Sequence, residues 1–419
     1  MGHRVVIIGG GFGGLNAAVA LRKVPVEVTL IDRRNFHLFQ PLLYQVATGG
    51  LSPANIAAPL RSVLSRQRNA RVLLGEVVDF DVASRTVFLS DGQVSYDTLI
   101  VAAGMTHSYF GHSEWENLAP GLKTIEDATT IRARLLRAFE EAERCDDSER
   151  IAALLTFVVI GAGPTGVEMA GAISDLARQT LRHDFRHVDP ARARIVLIEG
   201  ADRVLPPFRT AISAKAAQSL KHLGVEVWTG ARVTDIQPES LTVRLPSGDV
   251  TLRSHSVIWA AGVQASPLGH KLAQATGATT DRAGRIAVQS DLTLTGHPEI
   301  FVIGDLAAAP WDRPGIAEPA TLPGVAPVAI QQGRYVGDAI RRRLHGETVS
   351  PFHYRDKGSM ATIGRNAAVA DLNWTWFSGY IAWLIWLFVH ILYLIRFENR
   401  ALVLFQWAWN YVTRNRTAR

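Results

Sequence analysis

Two glycine-rich turns carry the clearest chemistry in this chain. The first has the spacing Gly9-x-Gly11-x-x-Gly14 and stands between a short β-branched run and a helix-like stretch. In such a turn the first glycine permits a sharp bend, the second lets the backbone approach a pyrophosphate, and the third lets the helix pack close to the strand. The N-terminus of the helix favours the phosphate charge. The expected contacts with a dinucleotide are Gly9, Gly11, Phe12, Gly13 and Gly14.

An acidic residue completes this first unit. Asp32 ends the next predicted strand, which begins at Val26, and follows Gly14 by eighteen residues. A carboxylate at that place can accept hydrogen bonds from a ribose. The alternative is a flexible glycine loop without chemical meaning. The strand, turn, helix and acid together favour a bound dinucleotide.

The middle of the chain repeats the unit. The strand Phe157 to Ile160 leads into a second glycine turn, and Glu199 ends the strand that follows the helix. Its carboxylate suits a free 2′-hydroxyl and repels a 2′-phosphate, which favours NADH over NADPH. The nearby Arg203 weakens this preference only slightly. The expected contacts in the turn are Gly161, Gly163, Pro164, Thr165 and Gly166.

Glu168 stands two residues after this turn, in the first turn of the predicted helix. Two interpretations stay open. Its carboxylate could complement the helix dipole, or it could face the nicotinamide.

Three further strand ends supply candidate contacts. Two strands run into small residues, and the strand Ile300 to Ile303 ends in Gly-Asp. An Asp at such a place could also cap the helix-like stretch 306–309. The candidates at these three strand ends are Ala103, Gly104, Gly262, Gly304 and Asp305.

Composition excludes several classes of protein. With 419 residues, of which 47% are hydrophobic and 20% charged, the chain suits two or three globular domains. The net charge is +6, but no basic block with interleaved aromatics lies in the body of the chain, so nucleic-acid binding is not expected. Cys145 is the only cysteine, which excludes an internal disulfide, a CxxC redox pair and a cysteine-rich zinc site. No metal site is expected.

The N-terminal apolar run, Val5 to Ile8, is too short for the core of a signal peptide. We therefore expect the nucleotide-binding part of the chain to stay in the cytoplasm.

The C-terminal tail has a different composition. It holds most of the ten tryptophans, and no charge stands between Asp371 and Arg396. Its most apolar part, Tyr380 to Ile395, has 16 residues, about 24 Å of helix against a bilayer core of about 30 Å. A single crossing would also place Arg396, Arg400, Arg414, Arg416 and Arg419 outside, against the positive-inside rule.

The last segment favours a helix lying in the membrane interface over a single span. Its polar residues fall on one helical face, its apolar residues on others. A hydrophobic helix buried at a dimer interface is the alternative for part of the tail. The polar set is Asn399, Gln406, Asn410 and Thr413; the apolar set is Leu402, Phe405, Trp409 and Val412.

Taken together, these features resemble the two-dinucleotide-binding flavoproteins and, within them, the type II NADH dehydrogenases, which are single-subunit NADH:quinone oxidoreductases. The resemblance spans nearly the whole chain. Its most specific parts are DRRNFHLFQPLLYQVAT, residues 32–48, and the Trp-rich tail. The other passages are GGGFGGL (9–15), GAGPTGVE (161–168), FVIGDL (301–306), APVAIQQ (326–332) and KGSMATIG (357–364).

The resemblance implies non-covalent FAD, a hydride taken from NADH, and two-electron reduction of a membrane quinone, menaquinone or ubiquinone, without proton pumping. It implies a homodimer attached peripherally to the cytoplasmic face of the inner membrane. It also places Arg33, Thr48, Ala329 and Asp305 at the flavin, with Asp305 holding the ribityl chain.

Three residues acquire catalytic roles from the resemblance. Glu168 is placed near the nicotinamide and flavin, Gln331 in the quinone-site element, and Lys357 close to the flavin. That element is Ala-Gln-x-Ala-x-Gln in the family and APVAIQ, residues 326–331, here. Pro327 removes an amide that could bond a quinone oxygen, which leaves the detailed quinone contacts open. An ordinary surface lysine is the alternative for Lys357.

The expected architecture is α/β, with two Rossmann-like domains and a C-terminal helical membrane-attachment module. The FAD domain is predicted at residues 1–115 and 270–345, the NADH domain at 150–269, and the module at 346–419. A respiratory NADH:quinone oxidoreductase is the leading function.

A soluble NAD(P)H-dependent flavoprotein reductase that serves a protein such as ferredoxin is the second hypothesis, and the Trp-rich tail argues against it. A flavoprotein that signals through its NADH-bound state is the third. The lone cysteine excludes the disulfide reductases and the sulfide:quinone reductases.

Overall fold

The computed structural model describes residues 2–311, 320–394 and 397–413. Its helices are α1 (Phe12–Ala20), α2 (Leu43–Ala47), α3 (Pro53–Ile56), α4 (Leu60–Val63), α5 (Ile125–Glu143), α6 (Ser148–Leu154), α7 (Pro164–Asp175), α8 (Thr210–His222), α9 (Pro267–Thr276), α10 (Ala326–Leu344), α11 (Tyr380–Tyr393) and α12 (Phe397–Thr413).

The strands of the first half are β1 (His3–Ile8), β2 (Val26–Asp32), β3 (Phe36–Leu38), β4 (Ala57–Pro59), β5 (Ala70–Leu74), β6 (Val77–Asp81), β7 (Thr86–Leu89), β8 (Gly92–Ser95), β9 (Thr98–Val101), β10 (Met105–His107), β11 (Thr156–Ile160) and β12 (Arg194–Ile198). Those of the second half are β13 (Val225–Trp228), β14 (Arg232–Gln237), β15 (Ser240–Leu245), β16 (Gly248–Arg253), β17 (Ser256–Trp259), β18 (Val263–Ala265), β19 (Ile286–Ala287), β20 (Thr293–Leu294), β21 (His297–Val302), β22 (Ala307–Ala308), β23 (Pro310–Trp311), β24 (Ala320–Thr321), β25 (Ser359–Thr362), β26 (Ala368–Asp371) and β27 (Trp376–Gly379).

The chain forms two compact units. The first comprises residues 1–38, 57–106 and 263–356. Its main sheet has the order β20-β21-β9-β1-β2-β5 and is parallel except at β20. The apolar run at β1 is buried throughout Val5–Ile8, as expected of a parallel strand covered on both faces.

Two helices of the first unit pack closely enough to require glycine. A Cβ at Gly333 of α10 would strike the carbonyl oxygen of Gly13 in α1, and one at Gly337 would strike Ala20. The C-terminal helix of this unit thus lies directly on the helix that follows the first glycine turn. The positions of the two helices are therefore coupled.

The second unit comprises residues 39–56, 107–262 and 357–419. Its main sheet, β13-β12-β11-β17, is wholly parallel. A three-stranded antiparallel sheet, β14-β15-β16, follows, and a second one, β25-β26-β27, leads into α11 and α12. The expected α/β class, with two dinucleotide-type sheets and a helical C-terminal part, is confirmed.

The C-terminal helices turn apolar side chains outward. On α11 the exposed set is Ile381, Leu384, Phe388 and Leu392, and on α12 it is Leu402, Leu404, Phe405 and Trp409. No helix within the described residues combines the length and apolarity needed to cross a bilayer. The expectation against a single crossing used four arginines that lie outside the described residues: Arg396, Arg414, Arg416 and Arg419. The side chains of Asn410, Val412 and Thr413 also lie outside them.

Candidate dinucleotide sites and the C-terminal module

The first glycine turn has the steric pattern that its spacing predicts. Gly9 has φ +100°, and an added Cβ would strike the carbonyl oxygen of Ala102. A Cβ at Gly14 would strike the Gly9 carbonyl oxygen. A Cβ at Gly11, by contrast, would meet no described atom within 4 Å. The turn is therefore closed where strand and helix meet and open at the position expected to receive a phosphate.

The second turn repeats this pattern. Gly161 has φ +98° and lies against the backbone of Ala261, while a Cβ at Gly166 would strike the Gly161 carbonyl oxygen. Around Gly163 no described atom would lie within 4 Å of an added Cβ. Pro164 and Thr165 are exposed at the start of α7. Proline suits this first helical position, because its missing N–H would have no helical partner.

A carboxylate holds each turn from the neighbouring strand end. Asp32 accepts the Gly10 N–H at 2.5 Å and the Arg34 N–H at 2.7 Å. Glu199 accepts the Ala162 N–H at 2.6 Å and the Ala201 N–H at 2.8 Å. Each acid thus accepts two backbone N–H groups. One belongs to the residue after the first glycine of the turn, and the other to the residue two positions after the acid. Charge-assisted bonds of this kind fix the turn strongly.

Two arginines lie near these acids. Arg33 is exposed beside Asp32. Arg203 donates to the Pro206 carbonyl oxygen at 3.1 Å and lies 3.9 Å from Asp202. The two terminal nitrogens of its guanidinium therefore contact its own loop, while its buried Nε has no hydrogen-bond partner among the described residues.

His37 is a site residue that the sequence analysis missed. Its Nδ1 lies 2.9 Å from the Gly10 carbonyl oxygen, and its ring meets Phe12 edge to face at 4.9 Å. Only 1% of the residue is exposed, and this burial lowers the pKa of the imidazole. The neutral ring donates its Nδ1–H to Gly10 and so holds the second side of the turn. His37 could have been predicted from its position within residues 32–48, the segment that carries the most specific family resemblance.

The Gly-Asp strand end and α10 form one group within the first unit. Gly304 has φ +71°, and its N–H donates to the buried Gln332 side chain at 2.7 Å. Ala329 of α10 lies beside Gly304 and Gly13. The chain continues from a short 3-10 turn into β22, so Asp305 does not cap a helix over 306–309. Gln332 was not predicted, although it is adjacent to the predicted Gln331.

The side-chain amide of Gln331 makes two hydrogen bonds to the backbone of a single residue, Arg355. Its Nε2 donates to the Arg355 carbonyl oxygen, and its Oε1 accepts the Arg355 N–H, both at 3.0 Å. Arg355 precedes Lys357 by two residues. Pro327 occupies the first turn of α10, where proline fits without losing a helical hydrogen bond. In this element the second glutamine therefore anchors the segment that leads to Lys357.

Glu168 occupies the start of α7 in the second unit. The residue is half-buried, and the loss of hydration on burial raises the pKa of its carboxyl group to about 8. The Thr362 N–H donates to it at 3.4 Å. Tyr44 lies 3.0 Å from the Thr362 hydroxyl, and the Thr48 hydroxyl donates to the Tyr44 carbonyl oxygen. A hydrogen-bonded chain therefore links Thr48, through Tyr44 and Thr362, to Glu168.

The remaining predicted residues have simpler surroundings. Lys357 donates to the Tyr393 hydroxyl at 3.0 Å and lies over that ring. Gly104 and Gly262 have φ values of +67° and +73°, which glycine adopts readily. Ala103 is half-buried at the end of β9. All predicted site residues lie in the described part of the chain, thirteen in the first unit and ten in the second.

Comparison with known proteins assigns the chain to a class. Residues 3–333 match the family described as pyridine nucleotide-disulphide oxidoreductase, and residues 357–415 match the NDH2 C-terminal domain. Together with the two closed glycine turns, these matches define an FAD- and NAD-dependent oxidoreductase class. The chain belongs to the type II NADH:quinone oxidoreductase family.

The relatives cover most or all of the chain. It is 48% identical to a type II NADH:quinone oxidoreductase of Mycobacterium tuberculosis over 99% of this chain and 89% of that one. It is 29% identical to a Staphylococcus aureus protein of the same description, over 87% and 89%. A structure of NDH2 from Plasmodium falciparum with NADH shares the fold, with a TM-score of 0.92, 21% identity and complete coverage of both chains.

We expect substitution of Glu168 to change how stability depends on pH. Burial raises the pKa of this carboxyl to about 8, so the folded state keeps its proton up to that pH, whereas the unfolded chain releases it near the ordinary glutamate pKa of 4.5. Stability should therefore fall as the pH rises through this window. Glu168→Gln removes that titration. The midpoint of thermal unfolding of the variant, relative to wild type, should rise by several degrees between pH 5 and pH 8. Glu239→Gln, at an exposed carboxylate, is the control, and parallel curves for Glu168→Gln and wild type would contradict the assignment.

Proposed function

We propose that this chain is a NADH:quinone oxidoreductase that takes a hydride from NADH on a non-covalent FAD and reduces a membrane quinone by two electrons. This proposal is based on the two glycine turns. In each turn a side chain would clash at the first and third glycines but not at the second, and a carboxylate, Asp32 or Glu199, accepts a backbone N–H of the turn. Residues 357–415 match the NDH2 C-terminal domain, which favours a quinone over a ferredoxin as acceptor.

The first unit is proposed to hold FAD. The turn Gly9–Gly14 would receive the pyrophosphate, Asp32 a ribose, and Gly304-Asp305 the ribityl chain. Support comes from the convergence of these elements with α10, through Gln332 on Gly304 and Ala329 beside Gly13. Arg33, Thr48, Ala103 and Gly104 remain proposed flavin contacts.

The second unit is proposed to hold NADH. The turn Gly161–Gly166 would receive the pyrophosphate, with Glu199 on the adenosine ribose and Gly262 at the neighbouring strand end. The division into an FAD domain (1–115, 270–345), an NADH domain (150–269) and a membrane module (346–419) is likewise a proposal. The parallel sheet β13-β12-β11-β17 supports the NADH part, because ligands of such sheets bind at the carboxyl ends of the strands.

FAD, when bound, supplies the acceptor for the hydride and passes the electron pair on. The protein's own contribution begins with Glu168. Its raised pKa, about 8, keeps the side chain protonated at neutral pH, so it adds no negative charge where the hydride is transferred. Lys357, anchored on Tyr393, supplies a positive charge for the charge that develops on reduction. Gln331 positions the segment before Lys357 through its two bonds to Arg355.

The membrane is proposed to cover the exposed apolar faces of α11 and α12. On α12 two polar side chains turn inward, since Asn399 donates to the Asn55 carbonyl oxygen at 3.0 Å and Gln406 is half-buried. The outward face carries Leu402, Phe405 and Trp409. An exposed face with several large apolar side chains is typical of a membrane or protein contact. We propose monotopic attachment on the cytoplasmic side, in a homodimer.

Purification in detergent and assay of NADH oxidation test the function. We expect an oxidised flavin spectrum, release of FAD on denaturation, and rapid oxidation of NADH with a menaquinone or ubiquinone analogue. Comparison of the two analogues identifies the preferred quinone. Fast reduction of a ferredoxin with no reduction of either quinone would overturn the proposal.

Substitution of Glu199 tests the NADH site. Glu199→Ala removes the carboxylate that would bind the 2′-hydroxyl. The ratio of kcat/KM for NADH to that for NADPH should fall by roughly ten-fold or more, because a hydrogen bond to a charged group contributes about 1.5–3 kcal/mol. Glu239→Ala removes an exposed carboxylate from the turn between β14 and β15, in another sheet of the same unit, and is the control. An unchanged ratio in Glu199→Ala would exclude the ribose assignment.

Substitutions on the outward face test membrane attachment. Phe388→Asp and Phe405→Asp place a charge where 63% and 69% of the phenylalanine is exposed. Each should reduce binding to vesicles of phosphatidylethanolamine and phosphatidylglycerol by about ten-fold or more, since burial of a Phe contributes about 1.5–3 kcal/mol. Val250→Asp, at an exposed valine of β16, is the matched control. Unchanged vesicle binding with loss of the dimer would show that a second copy covers this face.

A further inference from the structure

Phe110 is an exposed aromatic residue with a strained backbone, in a loop of the second unit. It is 68% exposed, more than any other Phe, Tyr or Trp among the described residues before Trp374. Its φ is +52°, in the left-handed region that a bulky residue seldom adopts. Both features raise the free energy of the folded chain, because the ring stays in water and the Cβ crowds the backbone. Strained residues of this kind are concentrated at functional sites.

Hydrogen bonds of the two preceding residues fix the position of Phe110. The Ser108 N–H donates to the Gly262 carbonyl oxygen at 3.3 Å, and the Ser108 carbonyl oxygen accepts the Trp259 indole N–H at 2.9 Å. Tyr109 is buried, and its hydroxyl donates to a backbone carbonyl oxygen at 2.9 Å. The loop is therefore tied to the end of β17, and these contacts maintain the strained conformation.

The phenyl ring itself lies on Gly262, just after β17. Three of its carbons lie 2.5–3.1 Å from the position that a Gly262 Cβ would occupy, so a side chain there would strike the ring. The ring also lies near Trp259, with centroids 6.1 Å apart and an angle of 58° between the planes. One part of the ring is thus seated on the strand end, and the rest is open to a ligand.

This strand end passes beside the glycine turn proposed to hold the pyrophosphate of NADH. A Cβ at Gly161 would strike the backbone of Ala260 and Ala261. In the sheet β13-β12-β11-β17 the turn follows β11, Glu199 follows β12 on one side, and Gly262 follows β17 on the other. A dinucleotide with its adenosine ribose at Glu199 and its pyrophosphate at the turn therefore extends its nicotinamide half toward Gly262.

The chemistry of a phenyl ring fits one group in that half. Aromatic faces stack on flat rings and attract cations. Nicotinamide is a nearly flat ring, and it is cationic in NAD⁺. Adenine is the other flat ring of the dinucleotide, but its ribose is proposed to lie at Glu199, on the opposite side of the turn.

We propose that Phe110 binds the nicotinamide ring of NADH and NAD⁺, with the phenyl ring packed against it beside Gly262; the inference rests on the proposed function. Binding removes the phenyl ring from water, and the free energy gained favours the bound state. The strained loop thereby adds an aromatic contact to a strand end that otherwise offers only the backbone of glycine and alanine.

Calorimetric titration of the oxidised holoenzyme with NAD⁺ and with ADP-ribose tests this contact. ADP-ribose has both riboses and the pyrophosphate of NAD⁺ but lacks nicotinamide. Phe110→Leu keeps an apolar side chain at the same φ and removes the aromatic ring. We expect it to weaken NAD⁺ binding by about ten-fold, within the range of one aromatic stacking contact, and to leave ADP-ribose binding unchanged. Phe110→Tyr, which keeps the ring, should restore NAD⁺ binding.

Arg85→Leu is the matched control. Arg85 is exposed and also has φ +52°, in a turn of the first unit, so this variant places the same residue in the same conformation away from β17. It should leave both affinities unchanged. Flavin absorbance shows whether each variant has folded.

Steady-state rates separate this role from that of Glu199. Phe110→Leu should raise KM for NADH and for NADPH by the same factor, because both carry nicotinamide. Glu199→Ala, in contrast, should change the ratio of kcat/KM between the two nucleotides.

Two results would overturn the proposal. Equal weakening of NAD⁺ and ADP-ribose in Phe110→Leu would show that the loop shapes the site as a whole. Unchanged or tighter NAD⁺ binding would show that the ring makes no favourable contact with nicotinamide. Failure of wild type to bind either nucleotide would instead refute the proposed NADH site, so the two failures are distinguishable.

Discussion

One hydrogen bond from a backbone N–H to a side-chain carboxylate, made twice, sets the geometry of both proposed nucleotide sites. The N–H after the first glycine donates to a carboxylate at the end of the adjacent strand, from Gly10 to Asp32 and from Ala162 to Glu199. Because the acid belongs to the next parallel strand, the bond forms only when the sheet is in register. The open second glycine, the close packing of the helix and the location of the acid all follow from that pairing.

The sequence predicted this part of the fold well because its causes are local. Glycine spacing, β-branched runs and acids at strand ends each indicate a local backbone conformation or contact that few other residues allow. Gly9, Gly14, Gly161 and Gly166 occupy the tight positions for the reasons given by their spacing.

The contacts that the sequence did not reveal join residues far apart in the chain. Gln332 bonds Gly304 across 28 residues, and Thr362 bonds Glu168 across 194. Neither pairing leaves a local pattern, since amides and threonines occur everywhere. The hydrogen bonds of Gln331 escaped prediction for the same reason, because their partner is the backbone of Arg355, 24 positions away. The indole N–H of Trp407 bonds Gln45 across 362 residues, so composition showed only that the tail was rich in tryptophan.

The inward polar face of α12 has a consequence for how such a protein meets a bilayer. Asn399 and Trp407 are tied to the body of the second unit, so the helix is already folded and docked in water. If a bilayer covers this face as proposed, attachment would bring no ordering of the described part of α12, and the described apolar patch would partition as a rigid body. Exchange between membrane and solution would then depend on the area of that patch and on the amount of lipid surface, without a refolding step in the described helix.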